Sequence, residues 1–243
     1  MKGLLWGGTV LWLSLGPAPP NSAGETRDRS VGERWRVLVR VSNYAGVPED
    51  VLSRTEGVAE RVVGHAGIPI EWRDCAVKSQ PMSPNCDRHP GQGEVVLDLL
   101  GGRQTRVFAK SPDPLGVALL PVGEGESLYA AVFLAQAEAL AGQASVPTSL
   151  VLGHAMAHEI GHLLLGTREH SLTGIMHSPW SSQDLWRATR GGLSFTAEES
   201  TRLRATVEGF RSPSGSPLPL TRTAGPQRNK PFRGSRAAES TVP

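Results

Sequence analysis

Residues 158 to 162 read His-Glu-Ile-Gly-His, within the longer run HAMAHEIGHLLLGTREHSLTGIM of residues 154–176. Four of the chain's seven histidines lie in that run, and His154, His158 and His162 follow one another at four-residue steps. On a helix, residues four apart are offset by roughly 40° and 6 Å, so His158 and His162 share a face. Two imidazoles placed in this way can reach one zinc ion at about 2.0–2.1 Å. Glu159 sits beside the pair rather than in it. There it can accept a proton from a water whose pKa the metal brings down to about 7, and that water can attack a polarised carbonyl carbon. The expected chemistry is metal-assisted hydrolysis, with Glu159 as general base and then proton donor. A stacked histidine row without metal would instead need separate hydrogen-bond partners for three imidazoles.

A catalytic zinc takes three protein ligands plus water, and the helix supplies two. Gly166 allows the chain to turn with positive φ, after which Thr-Arg-Glu-His can bring His170 back to the metal. With His158, Glu159, His162, Gly166, His170 and Met176, the chain resembles the metzincin zinc endopeptidases. Their motif is H-E-x-x-H-x-x-G-x-x-H with a methionine-containing turn after it. The resemblance spans residues 158–176, and this chain carries one extra residue on each side of the glycine. It implies His158, His162 and His170 as the zinc ligands, Glu159 as the catalytic residue and Met176 as a hydrophobic floor. His177 is the rival third ligand, and Glu198 or Glu199 would serve if that ligand were a downstream carboxylate. No tyrosine follows Met176. His154 is expected to neighbour the site while bonding a carbonyl. Gly161 is expected to mark close packing of the helix, and His65 and His89 to lie on the surface.

These residues need elements to hold them. WRVLVRVSNY (35–44) alternates apolar and polar residues and predicts a strand. A helix is expected over 47–67, where Val51, Val58, Val62 and His65 recur at helical spacing, and a second strand over 68–75. Such a strand–helix–strand opening favours a parallel pair joined by a crossover helix. Further strands are expected at 94–100 and at 116–122, the latter an edge strand because of Pro121. Residues 127–142 read as a strand running into a short helix. The site helix is expected over 145–166, capped by Thr148 or Ser149 and ended by Gly166. Two more helical stretches are expected over 181–210, the second with a capping box between Thr196 and Glu199. The expected fold class is α+β, which the resemblance makes zincin-like: a twisted mixed sheet of about four or five strands packed on a crossover helix and the site helix.

The ends differ from this body. Leu4 to Leu15 is apolar after one early lysine, too short for a membrane span and of the length of a signal-peptide core. Residues 1–23 are therefore expected to be a signal peptide, 24–210 a zinc protease domain, and 211–243 a disordered basic tail rich in Pro and Ser. Cys75 and Cys86, with ten residues between them, are expected to form a disulfide in a secreted or periplasmic protein. A pair of zinc thiolates is the rival reading. The body carries 18 Lys and Arg against 22 Asp and Glu, which argues against a nucleic-acid partner. The expected partner is a peptide or protein substrate, bound by a monomer with no stable membrane insertion after signal cleavage. Two other functions compete: a non-catalytic zinc-stabilised binding protein, and another zinc hydrolase on the same helix motif.

Overall fold

Val37, Val39 and Val41 alternate with Leu38, Arg40 and Ser42, and all three valines are buried on one face of strand β1 (Val37–Asn43). The same period two shapes β3 (Val95–Leu100), where Val95, Leu97 and Leu99 face the same core. The computed structural model describes residues 36–75, 86, 88–91, 93–102, 105, 114–120 and 127–210. The segments read as signal peptide and basic tail lie outside the described residues, as does Pro121.

The remaining elements are α1 (Glu49–His65), β2 (Ile70–Cys75), β4 (Gly116–Leu119), β5 (Leu128–Phe133), α2 (Leu134–Ala144), α3 (Thr148–Leu165), α4 (Ser182–Ala188) and α5 (Ala197–Gly209). The class is α+β, and one five-stranded mixed sheet runs in the order β2-β1-β3-β5-β4. β2, β1, β3 and β5 pair in parallel, with α1 as the crossover between β1 and β2. β4 is the antiparallel edge, Ala118 standing opposite Ala130. β5 passes directly into α2 at Phe133–Leu134. The expected disulfide links Cys75, at the end of β2, to Cys86. No helix among the described residues is long and apolar enough to cross a membrane.

Helix α3 runs through the middle of the core. Every residue from Val151 to Leu165 is buried, which explains why its sequence is apolar on all sides. Gly153 makes the close crossing with α1 possible: a Cβ there would lie 2.5 Å from Thr55 O and 2.6 Å from Val58 Cβ. Gly161 does the same on another face, where a Cβ would meet Phe195 Cε1 at 2.6 Å and Met176 Sδ at 2.7 Å. That glycine weakens the helix by roughly 0.5–1 kcal/mol relative to alanine, and it allows close packing on the turn.

The cap of α3 differs from expectation. Neither Thr148 nor Ser149 caps it. Pro147 occupies the N-cap position with φ −62°, and no side chain bonds the first turn. Thr148 is already helical, so its hydroxyl lies past the position from which a cap reaches forward. At the other end Gly166 closes the helix with φ 63°, as the sequence requires. α5 has the anticipated capping box between Thr196 and Glu199, and α4 has a second one between Ser181 and Asp184.

Candidate metal centre

His158 and His162 project from α3 with their rings 4.6 Å apart, and both are nearly fully buried. His158 Nδ1 lies 2.8 Å from Ile175 O, and His162 Nδ1 lies 2.8 Å from Thr167 O. A carbonyl oxygen can only accept, so each Nδ1 carries the proton and donates it. Each neutral ring then presents its Nε2 as a lone pair. Those two Nε2 atoms stand 3.0 Å apart. Two acceptors at that distance repel one another unless a cation lies between them. Tetrahedral ligands at about 2.0–2.1 Å from a common ion stand about 3.3–3.4 Å apart, close to the spacing observed.

His170 completes the group. Its ring centroid lies 5.3 Å from that of His158 and 5.0 Å from that of His162. Ligand nitrogens of the three residues all fall within 4.8 Å of one another, so together they can hold a metal ion. Burial pushes the pKa of His158 down to about 3 and that of His162 to about 4; the neighbouring imidazoles add to the effect. His170 is lowered as well, first by burial and then by His177. The rings are thus kept in the neutral form that a metal requires.

The two extra residues around the glycine are accommodated locally. Thr167 N donates back to His162 O at 3.3 Å, and Ser171 N donates to Met176 O at 2.9 Å. Ser171 Oγ donates to Glu199 Oε1, which ties the loop to the start of α5. Met176 is buried and packs against Gly161. Ile175 O also accepts from Trp180 Nε1 at 3.2 Å, so one carbonyl orients both His158 and the indole.

The sequence-predicted residues can now be placed. His158, His162 and His170 come together. Glu159 lies one position from His158 on the same cleft and is buried at 5% exposure. No described residue hydrogen-bonds its carboxyl, and burial alone pushes its pKa up to about 8. His177 does not join the group among the described residues. Glu198 is exposed, and both oxygens of Glu199 are engaged, one by Ser171 and the other by Thr196 N at 2.8 Å. His154 donates from Nδ1 to Leu150 O at 2.8 Å and remains a neighbour, as expected. His65 and His89 are exposed.

A cleft of about 700 Å³ opens over the three histidines and Glu159. β4 borders it, and so does one face of α2 carrying Gln136, Ala139, Leu140 and Gln143. Gly116 of β4 packs directly on Glu159: a Cβ there would lie 2.7 Å from Glu159 Oε1. Sequence reading did not single out Gly116, Ser171, Thr167 or Ile175 for the site. A glycine in a strand signals a close approach, but it does not say what approaches.

No family model matches the sequence, and no curated protein matches it. Among solved structures, the chain is similar to the archaemetzincin of Methanopyrus kandleri at 12% identity and a TM-score of 0.44. That superposition covers 73% of this chain and 99% of the other. It is also similar to metalloproteinase-II from Bacteroides fragilis at 13% identity and a TM-score of 0.45, over 71% of this chain and 53% of the other. Superpositions this loose leave the reading of the site to its own geometry.

Proposed function

We propose that the chain is a secreted zinc-dependent endopeptidase of metzincin type, with His158, His162 and His170 as metal ligands and Glu159 as catalytic residue. The observation that carries this reading is the pair of Nε2 lone pairs 3.0 Å apart, with a third imidazole in reach and an unbonded carboxyl alongside. Three neutral imidazoles suit zinc, and a fourth position left to water is the arrangement of a catalytic site rather than a structural one. A bound zinc would supply Lewis-acid polarisation of the scissile carbonyl and would lower the pKa of water.

The chain's own residues do the rest. β4 pairs only with β5 among the described residues, so its outer backbone groups can take an extended peptide as an added strand along the cleft. Glu159 takes a proton from the attacking water as the C–O bond forms, then delivers it to the departing amide nitrogen as the C–N bond breaks. Its buried position raises its basicity toward neutral pH. Trp180 and the apolar faces of β4 and α2 limit the water around it. Export is supported by the apolar run Leu4 to Leu15 and by the Cys75–Cys86 disulfide.

The test compares wild type with Glu159→Gln. Purified wild type should carry about one zinc per chain and cleave members of a diverse peptide library; Glu159→Gln should keep the metal and lose cleavage by about 10²-fold or more. A folded wild type that takes up no metal would sink the reading. Metal-loaded protein that binds peptides and cleaves none would replace it with the non-catalytic binding function.

A further inference from the structure

Between two of the candidate ligands the chain runs Thr167, Arg168, Glu169, His170. Its path is fixed at both ends. Thr167 O accepts from His162 Nδ1, Glu169 N donates to Thr167 Oγ1 at 3.1 Å, and Ser171 is held by Met176 and Glu199. Arg168 is exposed and lines the cleft. Among the described residues it makes no hydrogen bond or ion pair, not even with Glu169 beside it. It is also the one guanidinium or ammonium among the described residues that border the cleft. The surrounding walls are apolar, as at Leu115, Leu140, Pro179 and Trp180, with the neutral amides of Gln136 and Gln143 between them.

An unpaired guanidinium over largely apolar walls offers a planar donor fork that fits one carboxylate. We propose that Arg168 is a specificity residue that receives a carboxylate of the substrate close to the bond being cleaved. Two residues of chain span at most about 7 Å, so the group recognised lies within two or three residues of that bond. The inference rests on the peptidase reading and names its substrate class: peptides bearing an acidic side chain, or a free C-terminal carboxylate, just beside the scissile position.

Three peptides of otherwise equal sequence separate the possibilities. One has Glu near the cleaved bond and an amidated end, one has Gln there and an amidated end, and one has Gln with a free C-terminus close by. They are offered to metal-loaded wild type for kcat/KM and to metal-loaded Glu159→Gln for binding. One of the two carboxylate peptides should lead the amidated Gln peptide by about tenfold or more, mainly through KM, and should bind more tightly. Which one leads identifies the source of the carboxylate. Arg168→Gln should bring that ratio to within about twofold of one, Arg168→Lys should keep part of it, and Arg168→Glu should turn the preference toward a lysine-bearing peptide. Wild type that cleaves without discrimination, or Arg168→Gln that still discriminates, overturns this inference alone. An Arg168-dependent binding preference without any cleavage sinks the peptidase reading and leaves of the inference only that Arg168 receives a carboxylate of a bound peptide.

Discussion

Gly116 and Glu159 share the space of a single side chain: a Cβ on Gly116 would fall 2.7 Å from Glu159 Oε1 and 2.8 Å from its Cγ. The same atom would lie 2.7 Å from Ala131 O, across the β4–β5 pairing. The strand that borders the cleft thus lies directly against the carboxyl proposed as the catalytic base. Gly116→Ala should displace that carboxyl. We expect kcat for peptide hydrolysis to drop by about 10–100-fold with zinc content unchanged, and stability to fall by about 1–3 kcal/mol from overpacking. Steady-state kinetics beside metal analysis checks this; an unaltered kcat would remove Gly116 from the site.

Under the proposed function, Ser171 would support the metal site by holding the loop that carries His170. Its hydroxyl links the third-ligand loop to Glu199, and Glu199 is itself fixed by the capping box of α5. Ser171→Ala should weaken zinc binding by about tenfold, the low end of what orienting partners contribute, while leaving the helix pair intact. Competition against a chelator of known affinity measures it. His170→Ala should weaken binding further than His177→Ala; the reverse order would exchange the two residues' roles.

The buried imidazoles make metal-free stability depend on pH. His158 and His162 are held to about 3 and about 4 in the folded chain, well below the ordinary value of 6.5. Below pH 6.5 the unfolded chain therefore binds protons that the folded chain refuses. The contribution of these two groups is fully present above about pH 6.5 and is lost as pH falls toward 4, with a slope approaching about 1.4 kcal/mol per pH unit for each group. Urea titrations of metal-free protein from pH 7 to pH 4 should show the fall. A flat profile would mean that the imidazoles are not buried as described.

Glu159 has the opposite sign. Its folded pKa is raised to about 8, so between pH 4.5 and 8 the folded chain keeps a proton that the unfolded chain releases. The contribution of Glu159 to metal-free stability should decline over that range as pH rises, offsetting part of the gain from the two histidines below pH 6.5. Glu159→Gln removes the ionisable group, and at pH 8 it should be more stable than metal-free wild type by on the order of 3 kcal/mol, with little difference at pH 4. Equal stability of the two proteins at pH 8 would contradict burial as the cause of the shift.

What the sequence discloses depends on how far apart the interacting residues lie along it. His158, Glu159 and His162 were legible because a four-residue step is a property of one helix, and Gly166 because a left-handed closing residue has a local signature. The parallel strand pair around α1 and the edge position of β4 were legible for the same reason, from period and from Pro121. Gly116 against Glu159 and Ser171 against Glu199 were not, since each pair meets only through the tertiary fold. Thr148 misled because a hydroxyl next to a proline looks like a cap until the helix is seen to start one residue earlier. His154 bonds a carbonyl within its own helix, that of Leu150 four residues earlier, which is a local relation readable from one element.

The groups that set the tautomers of His158 and His162 are main-chain carbonyls, of Ile175 and Thr167. A point substitution can delete a side chain, but it leaves the peptide oxygen in place. The orientation of both imidazoles is therefore insulated from drift at those two positions and is inherited by any sequence that keeps the chain on this path. Changes that reroute the chain, such as an insertion or deletion between Gly166 and Met176, are the ones that put it at risk.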